Sequence, residues 1–375
     1  MRHLLILSVS AGAGHVRAAQ AVEAAAKTAR VKATHIDLLT LVPRQFRKLY
    51  ADQYIKLVEK LPELWSYLYA KSDRPSRDSW IGKLKRSIEK LNTRKLHAEI
   101  ARLKPDAILC THFLPAELLS RQKAAGKPLP PLWVQVTDFD VHALWVHSHI
   151  DHYCVASDEV AYRLADRGVS HGRITVTGIP VMPQFSTPLE RPTCAAELGL
   201  NHEKFTALMM AGGAGVGALD ILAARLLELS GDQQPGFQLI ALAGKNAGLL
   251  AKLKDLARRH PDQLFPLGFT TTVERVMTAA DLVITKPGGL SVSECLAKGK
   301  PMLLVSPIPG QEERNADYLL ESGAALKAVD AATLEFKFGR LLGDAQRLRA
   351  MGEAAHRIGR PNAAAEVLAL IFRGS

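Results

Sequence analysis

Cysteine is scarce in this chain of 375 residues, and the four that occur are widely separated. None forms a Cys-x-x-Cys pair, so the pattern supports neither a disulfide framework nor a zinc site and is typical of a reducing compartment. Long hydrophobic runs are absent too, because no stretch reaches the roughly 18 apolar residues of a transmembrane helix. The first apolar run is also too short for a signal peptide. We therefore expect a cytoplasmic protein that meets a membrane, if at all, at its surface.

Tandem repeats are also absent, and short apolar runs alternate with helical patterns, which predicts parallel sheets in an α/β fold. The length exceeds that of one ordinary core and suits two Rossmann-like domains. A proline-rich stretch at 179–192 marks the linker. The predicted division is a first domain over 1–183, a linker over 184–192, a second domain over 193–355, and a C-terminal helix over 356–375 that can pack back on the first domain. Strands are predicted at 4–9, 107–110, 132–136, 152–155, 174–176, 206–211, 238–243, 282–285 and 302–305.

Positive charge is concentrated in one segment of the first domain. The chain has a net charge of +11, and residues 44–104 contain 16 basic and 7 acidic residues. Such a patch indicates a polyanionic partner, either nucleic acid or an anionic membrane. Interleaved aromatic residues favour helices lying in a membrane interface, and no nucleic-acid motif is present. An insertion over about 43–104 is thus predicted to contact the membrane through Trp65, Tyr69, Trp80, Lys83, Lys85 and Arg86.

A first glycine turn, Ser-Ala-Gly-Ala-Gly-His at 10–15, follows the first predicted strand. Gly12 and Gly14 allow backbone N–H groups to approach an oxygen-rich ligand at the positive end of a helix. The turn lacks the third glycine of a dinucleotide fingerprint, and no Gly-Lys-Ser/Thr follows as in a P-loop. His15 stands at the turn, where an imidazole can take a proton from a hydroxyl near neutral pH. A hydrogen bond at the helix start is its alternative role.

Further glycine turns follow strands of the second half. The one at 212–217 is a weak signal by itself, whereas Thr-Lys-Pro-Gly-Gly-Leu-Ser-Val-Ser-Glu at 285–294 is stronger. Lys286, its glycine amides and Ser291 suit a diphosphate. Glu294, predicted on the first helical turn, can accept bonds from ribose hydroxyls or act as a cap. Downstream, the polar loop at 309–315 supplies residue types that bind sugar hydroxyls: Gln311, Glu312 and Asn315.

In this order, these elements resemble glycosyltransferase family 28, and most closely its monogalactosyldiacylglycerol synthase and processive diacylglycerol glucosyltransferase group. The similarity covers nearly the whole chain. The motifs that carry it are SAGAGH (10–15), TDFDVHALWVH (137–147), VTGIPV (176–181), GKN (244–246), GFT (268–270), TKPGGLSVSE (285–294) and IPGQEERNADYL (308–319).

The resemblance implies a GT-B fold, in which two Rossmann-like domains face each other across a cleft, with a UDP-sugar in the second domain. It makes His15 the general base, with Asp138 orienting or charging the catalytic site and His112 as a further candidate beside Gly12 and Gly14. It also implies inversion at the anomeric carbon, no cofactor and no metal. The donor contacts it implies are Phe269 and Thr270 at uracil, Glu294 at ribose, Gly213, Lys245, Gly288, Gly289, Leu290 and Ser291 at the phosphates, and Gln311 and Glu312 at the sugar.

The predicted activity is transfer of a hexose from a UDP-sugar to diacylglycerol or a related membrane lipid, at the cytosolic face. Three alternatives stay open. One is transfer of N-acetylglucosamine to a polyprenyl-linked cell-wall intermediate, another is a UDP-sugar 2-epimerase, and the third is a lipid-surface module without activity. The intact glycine and Pro-Gly-Gln-Glu motifs argue against the third.

Overall fold

The structure, a computed structural model, describes residues 2–10, 12–43, 94–210, 219–229 and 236–373. It divides into two compact units. The first comprises Met1–Pro183, Ile308–Arg314 and Asn362–Ser375, and the second comprises Gln184–Pro307 and Asn315–Pro361. Most of the predicted basic and aromatic insertion, with all six residues predicted to touch the membrane, lies outside the described residues, and so does the turn containing Gly213.

The first unit is built on a parallel sheet of six strands. They are β1 (His3–Ser8), β2 (Lys32–Asp37), β3 (Ala107–Cys110), β4 (Leu132–Gln135), β5 (His152–Val155) and β6 (Ile174–Val176). Their spatial order is β2-β1-β3-β4-β5-β6. The central strands β1 and β3 are fully buried, as their continuous apolar sequences predict for strands covered on both faces.

Helices connect these parallel strands, as βαβ units require. They are α1 (Ala13–Thr28), α2 (Leu38–Leu41), α3 (Arg94–Leu103), α4 (Phe113–Ala124) and α5 (Asp158–Asp166). The buried face of α1 consists of five alanines and Val22, so this helix lies close to the sheet. Asp37, at the end of β2, accepts hydrogen bonds from the backbone N–H groups of Leu39 and Ser10. Its carboxylate therefore caps α2 and holds the start of the first glycine turn.

The second unit contains another six-stranded parallel sheet. Its strands are β7 (Phe205–Met210), β8 (Phe237–Leu242), β9 (Leu264–Leu267), β10 (Leu282–Thr285), β11 (Met302–Val305) and β12 (Ala325–Ala328). Their order, β12-β11-β10-β7-β8-β9, is that of a Rossmann sheet. Its helices are α6 (Arg191–Glu197), α7 (Leu219–Leu227), α8 (Ala247–Arg259), α9 (Val273–Ala279), α10 (Gly289–Ala297), α11 (Gln311–Glu321, which begins in the 308–314 segment of the first unit), α12 (Ala331–Leu342) and α13 (Ala345–Ile358).

A close backbone contact fixes α10 against the end of α13. A Cβ atom on Gly359 would lie 2.8 Å from the carbonyl carbon of Leu296 and even closer to its oxygen. Gly359 has an ordinary φ of −65°, so this glycine is required by space and not by backbone conformation. Because α10 begins at the second glycine-rich motif, the contact also sets the position of that motif.

The C-terminal helix α14 (Ala363–Ile371) belongs to the first unit and packs against α1. Val367, Leu368 and Ile371 join one apolar cluster with residues of β1, α1 and β3. The guanidinium of Arg2 donates to the Phe372 carbonyl at 2.9 Å and lies over its ring. The sequence predicted one helical stretch over 331–372, but the structure divides it into three helices. Asp344 caps the second of them, and Pro361 separates it from the third.

Both sheets have a point at which the strand order reverses, and ligands of open α/β sheets bind beyond the carboxyl ends of strands at such points. In the first unit the reversal lies between β1 and β3, and in the second between β7 and β10. The turn before His15 follows β1, and the Lys286 motif follows β10. Topology therefore places a candidate site residue at the reversal point of each unit.

Candidate active site

The turn that presents His15 depends on one glycine. Gly12 has φ = +105°, which a residue with a Cβ rarely adopts, and α1 begins at the next residue, Ala13. Ala13 itself has ordinary helical conformation, as the turn requires when alanine stands between two glycines. Gly12 is the N-cap residue of α1. Among the described residues, no side chain caps this end of the helix, and no acidic residue lies in the first turn of α1. The backbone N–H groups at this helix end thus retain their positive potential.

Two threonines orient the His15 ring. Its Nδ1 lies 3.0 Å from the Thr111 carbonyl oxygen and 2.9 Å from Thr137 Oγ1, and the Thr111 hydroxyl donates to the His15 carbonyl at 2.9 Å. Because a carbonyl can only accept, we assign the ring proton to Nδ1. The Thr137 hydroxyl oxygen shares that proton as a second acceptor. The Nε2 lone pair is then available to accept a proton.

Aromatic rings surround this imidazole. The His112 ring contacts it edge-on at 4.5 Å between centroids, and the Trp145 ring lies 6.2 Å away. Burial lowers the pKa of His15 to about 4, although the bond to Thr111 partly opposes the shift. At neutral pH His15 is therefore uncharged, which is the state that a general base needs before it accepts a proton.

His112 has a structural role that limits its chemistry. Its Nδ1 accepts a hydrogen bond at 3.0 Å from the Leu114 N–H, so the side chain caps α4. Burial, together with the neighbouring His15, lowers its pKa well below the ordinary value. His112 therefore remains a neutral ring that packs beside the candidate base.

The two carboxylates of the Thr-Asp-Phe-Asp motif have different partners. Asp138 is buried and accepts a hydrogen bond at 2.6 Å from the Gln311 amide, within the first unit. Asp140 forms an ion pair with Arg163 at 2.8 Å. Of these two carboxylates, Asp138 therefore contacts a residue that is predicted to bind the donor sugar. The same hydrogen bond orients the amide oxygen of Gln311.

The polar loop predicted to bind sugar is largely held by its own side chains. Glu312 accepts from the Ile308 N–H at 2.7 Å, and Glu313 accepts from the Gly310 N–H at 2.9 Å. Asn315 is fully buried, and its amide donates to the Pro287 carbonyl at 3.0 Å. Asn315 therefore holds the Pro-Gly-Gly loop through this bond.

The glycine-rich motif of the second unit forms the start of α10. The helix begins at Gly289 with Gly288 as its N-cap, and no side chain caps it. Lys286 precedes it, and Leu290 and Ser291 lie in its first turn. Glu294 lies in the second turn and not the first, because the helix begins at the second glycine directly after Pro287. The uncapped amides and Lys286 together suit a phosphate group.

Two other predicted donor residues lie together at the ends of β8 and β9. The Lys245 ammonium lies 5.0 Å from the centre of the Phe269 ring, and 63% of the Phe269 surface is exposed. Such exposure of an aromatic ring leaves a face on which a base can stack. Thr270, the next residue, bonds through its hydroxyl to Thr272.

The structure thus groups His15 with His112 in the first unit, and Asp138 with Gln311. Sequence reasoning missed Thr111, Thr137 and Trp145 as neighbours of the base. A signal was present, because Thr137 and Trp145 lie in the quoted TDFDVHALWVH motif. Their contact with His15 depends on the strand order, which places the ends of β1, β3 and β4 side by side.

Known structures share this architecture over the full chain. MurG of Acinetobacter baumannii superposes with a TM-score of 0.62 at 16% identity, covering 99% of both chains. UDP-GlcNAc 2-epimerase of Neisseria meningitidis, solved with UDP-GlcNAc, gives 0.63 at 15% identity and covers 100% of both. The fold and the glycine turns at its two reversal points define a protein of the GT-B class.

Sequence comparison assigns the family. Residues 15–181 match the family model for monogalactosyldiacylglycerol (MGDG) synthase, and residues 207–367 match the glycosyltransferase family 28 C-terminal domain. Processive diacylglycerol beta-glucosyltransferase of Bacillus cereus (strain AH187) is 31% identical, over 98% of this chain and 93% of the relative. The Bacillus pumilus (strain SAFR-032) protein of that name is 35% identical, over 70% and 67%. The chain therefore belongs to glycosyltransferase family 28 and is a UDP-sugar-dependent glycosyltransferase.

Proposed function

We propose that this enzyme transfers a hexose from a UDP-sugar to diacylglycerol or a related membrane lipid. Glucose is the hexose that we propose. The proposal that the acceptor is diacylglycerol rests on the name shared by relatives that align over nearly the whole chain. Those relatives form beta-glucosides, and UDP-glucose is an alpha-glycoside, so such a reaction inverts the anomeric carbon. The product would be a membrane glycolipid.

The UDP part of the donor would be bound by the second unit. The uncapped start of α10 and Lys286 suit the diphosphate, and the exposed Phe269 ring suits the uracil. Positive charge from these protein groups offsets the diphosphate charge, so we propose that neither a metal ion nor another cofactor is needed. Activity should then persist in excess chelator.

The acceptor hydroxyl would be activated by His15. As the hydroxyl oxygen forms its bond to the anomeric carbon, its proton passes to Nε2 and the bond from that carbon to the UDP oxygen breaks. The developing imidazolium is then stabilised through Nδ1–H by the Thr111 carbonyl and Thr137. Asp138 would contribute by holding the Gln311 amide, so that its oxygen accepts from a sugar hydroxyl.

Membrane contact would occur at the cytosolic surface of an anionic bilayer. Among the described residues, none of the helices combines the length and hydropathy of a bilayer span. The sequence instead concentrates basic and aromatic residues in the 43–104 segment. Cations meeting lipid phosphates and rings entering the interface would hold the enzyme there reversibly.

Neutralising Lys83, Lys85 and Arg86 to glutamine is expected to weaken binding to anionic vesicles about 100-fold at low salt. Each basic residue near such a surface contributes about 1 kcal/mol, and salt screens the attraction. Vesicle sedimentation at increasing NaCl measures both the loss and the reduced dependence on salt.

The matched control neutralises three exposed basic residues of α8 in the second unit: Lys254, Arg258 and Arg259. This variant loses the same charge and should bind vesicles nearly as the unmodified enzyme does. Equal loss in both variants would show that net charge, and not the predicted segment, drives binding.

The proposed activity is tested with purified enzyme, anionic liposomes containing diacylglycerol, and a panel of labelled UDP-sugars. A labelled glycolipid formed from UDP-glucose supports the proposal. Label moved to a polyprenyl-linked acceptor from UDP-N-acetylglucosamine, or an epimerised nucleotide sugar without lipid product, would overturn it.

A further inference from the structure

A buried carboxylate of α4 is hydrogen-bonded to a buried histidine in the first unit. Glu117 lies on α4, and its side chain is 9% exposed. One carboxylate oxygen accepts from His147 Nδ1 at 2.8 Å, and the other accepts from Arg121 at 2.5 Å. The His147 side chain is also buried, with 5% exposure. Burial would raise the pKa of Glu117, but the bonds from His147 and Arg121 outweigh it and lower that pKa to about 2.

A tyrosine fixes the backbone at the same residue. The Tyr153 hydroxyl accepts from the His147 N–H at 2.9 Å and donates to the His147 carbonyl at 3.2 Å. The other ring nitrogen of His147, Nε2, is buried and has no hydrogen-bond partner among the described residues. The orientation of the His147 side chain therefore depends on Glu117, while Tyr153 holds its main chain.

The stretch that ends at His147 also carries the groups that touch the candidate base. Thr137, at its start, lies 2.9 Å from His15 Nδ1. Trp145, two residues before His147, is buried and packs against the rings of His15, His112 and Phe113. A change in the position of His147 would therefore be transmitted over two residues to the ring that covers the base.

We propose that Glu117 is a positioning residue for glycosyl transfer: through His147 it holds the 137–147 loop so that Thr137 and Trp145 stay packed on His15. This proposal rests on the function proposed above. Glu117 touches neither His15 nor the predicted donor residues in the bonds described. It acts by fixing the loop that orients the imidazole.

The chemistry of the pair supports a positioning role over simple stabilisation. A buried carboxylate contributes little net stability even when it is hydrogen-bonded, because removing its charge from water offsets the attraction of its partners. The Glu117 carboxylate instead fixes the orientation of the His147 ring, because its oxygen accepts the Nδ1–H of one particular ring orientation. An active site requires such fixed orientation, because a displacement of a catalytic group by about 1 Å can lower turnover about 100-fold.

The test uses full-length enzyme carrying Glu117→Leu, which removes the acceptor and keeps the volume similar. We expect kcat to fall about 10- to 100-fold, with affinity for UDP within about twofold, because the proposed contacts to UDP are untouched. Glu117→Gln retains an oxygen for His147 and should recover most of the activity. Arg121→Ala is the control, since it removes the other partner of the carboxylate and leaves the His147 bond intact.

The pH profile separates positioning from a general loss of stability. In Glu117→Leu, looser packing of Trp145 admits water to His15 and raises its pKa, so the acid limb of kcat/KM moves to higher pH. Among the described residues, the titratable side chain in ring contact with His15 is His112, which burial keeps neutral. Tyr153→Phe, which releases the same residue from its other side, should shift the limb in the same direction.

Turnover and a pH profile of Glu117→Leu equal to those of the unmodified enzyme would overturn the proposal, and so would equal losses in Glu117→Leu and Arg121→Ala. If Glu117→Leu does not fold, Tyr153→Phe still decides the matter, because an acid limb that does not move in that variant would overturn the proposal. Absence of glycolipid synthesis by the unmodified enzyme would instead contradict the proposed function. The two failures are thus distinguishable.

Discussion

We expect His15→Ala to lower kcat by about 10²- to 10⁴-fold, which is the range typical of a lost general base. The affinity for UDP should stay within about twofold of that of the unmodified enzyme. The loss is in turnover because the acceptor hydroxyl no longer has a neutral Nε2 to take its proton. UDP affinity is retained because the proposed contacts to the uracil and the diphosphate lie in the second unit, which His15 does not belong to. Initial rates of glycolipid synthesis and calorimetric titration with UDP measure the two quantities.

The control for this substitution is His171→Ala, an exposed histidine of the same unit. It should retain full activity.

The pH profile of the unmodified enzyme is a further prediction, because the pKa of His15 is lowered to about 4. The neutral base form dominates above that pH, so kcat/KM should stay level from pH 8 downward and fall only as the pH approaches 4. A limb centred near 6.5, or normal rates in His15→Ala, would remove His15 from the role of base.

Gly359→Ala is expected to destabilise the second unit by about 2–3 kcal/mol, the upper range for an overpacked site. The added methyl meets the main chain at Leu296, which no rotamer change can relieve. Because α10 must shift to accommodate it, UDP affinity should fall as well. Thermal unfolding with and without UDP measures both effects, and a loss of 1 kcal/mol lowers Tm by about 2–4 °C in a domain of this size.

Gly339→Ala is the matched control. Gly339 lies inside α12, where an added methyl would meet nothing within 4 Å. Alanine is the better helix former, so this variant should gain about 0.5–1 kcal/mol. An unchanged Tm in Gly359→Ala would mean that α10 and α13 do not require this close backbone contact.

The strands that sequence analysis missed share an edge position, although the edge strand β6, with the mostly apolar sequence Ile-Thr-Val, was found. Strands such as 107–110, 282–285 and 302–305 were predicted at the bounds the structure shows, because burial on both faces gives them continuous apolar sequences. The missed strands are β2, β9 and β12, and all three lie at sheet edges. Edge strands mix polar residues, and in β9 a proline, into their sequences, so periodicity does not distinguish them from loops.

The candidate site was only partly predictable for a different reason. His15 and the 285–294 motif are local in sequence, so their residue types were sufficient to indicate phosphate and proton chemistry. The bonds that orient His15 join residues 96 and 122 positions apart, and only the strand order reveals them. Asn315 shows the same limit, because its amide type suited a sugar whereas its burial beside Pro287 assigns it to support the loop.

The packing of α14 on α1 has a consequence for synthesis of the protein. Val367, Leu368 and Ile371 complete an apolar cluster whose other members lie mostly between residues 4 and 154. A ribosome-bound chain that has emerged only through Pro183 would leave that face of the first unit uncovered, and exposed apolar surface promotes aggregation. The first unit, although translated first, therefore cannot complete this cluster until the second unit has been made.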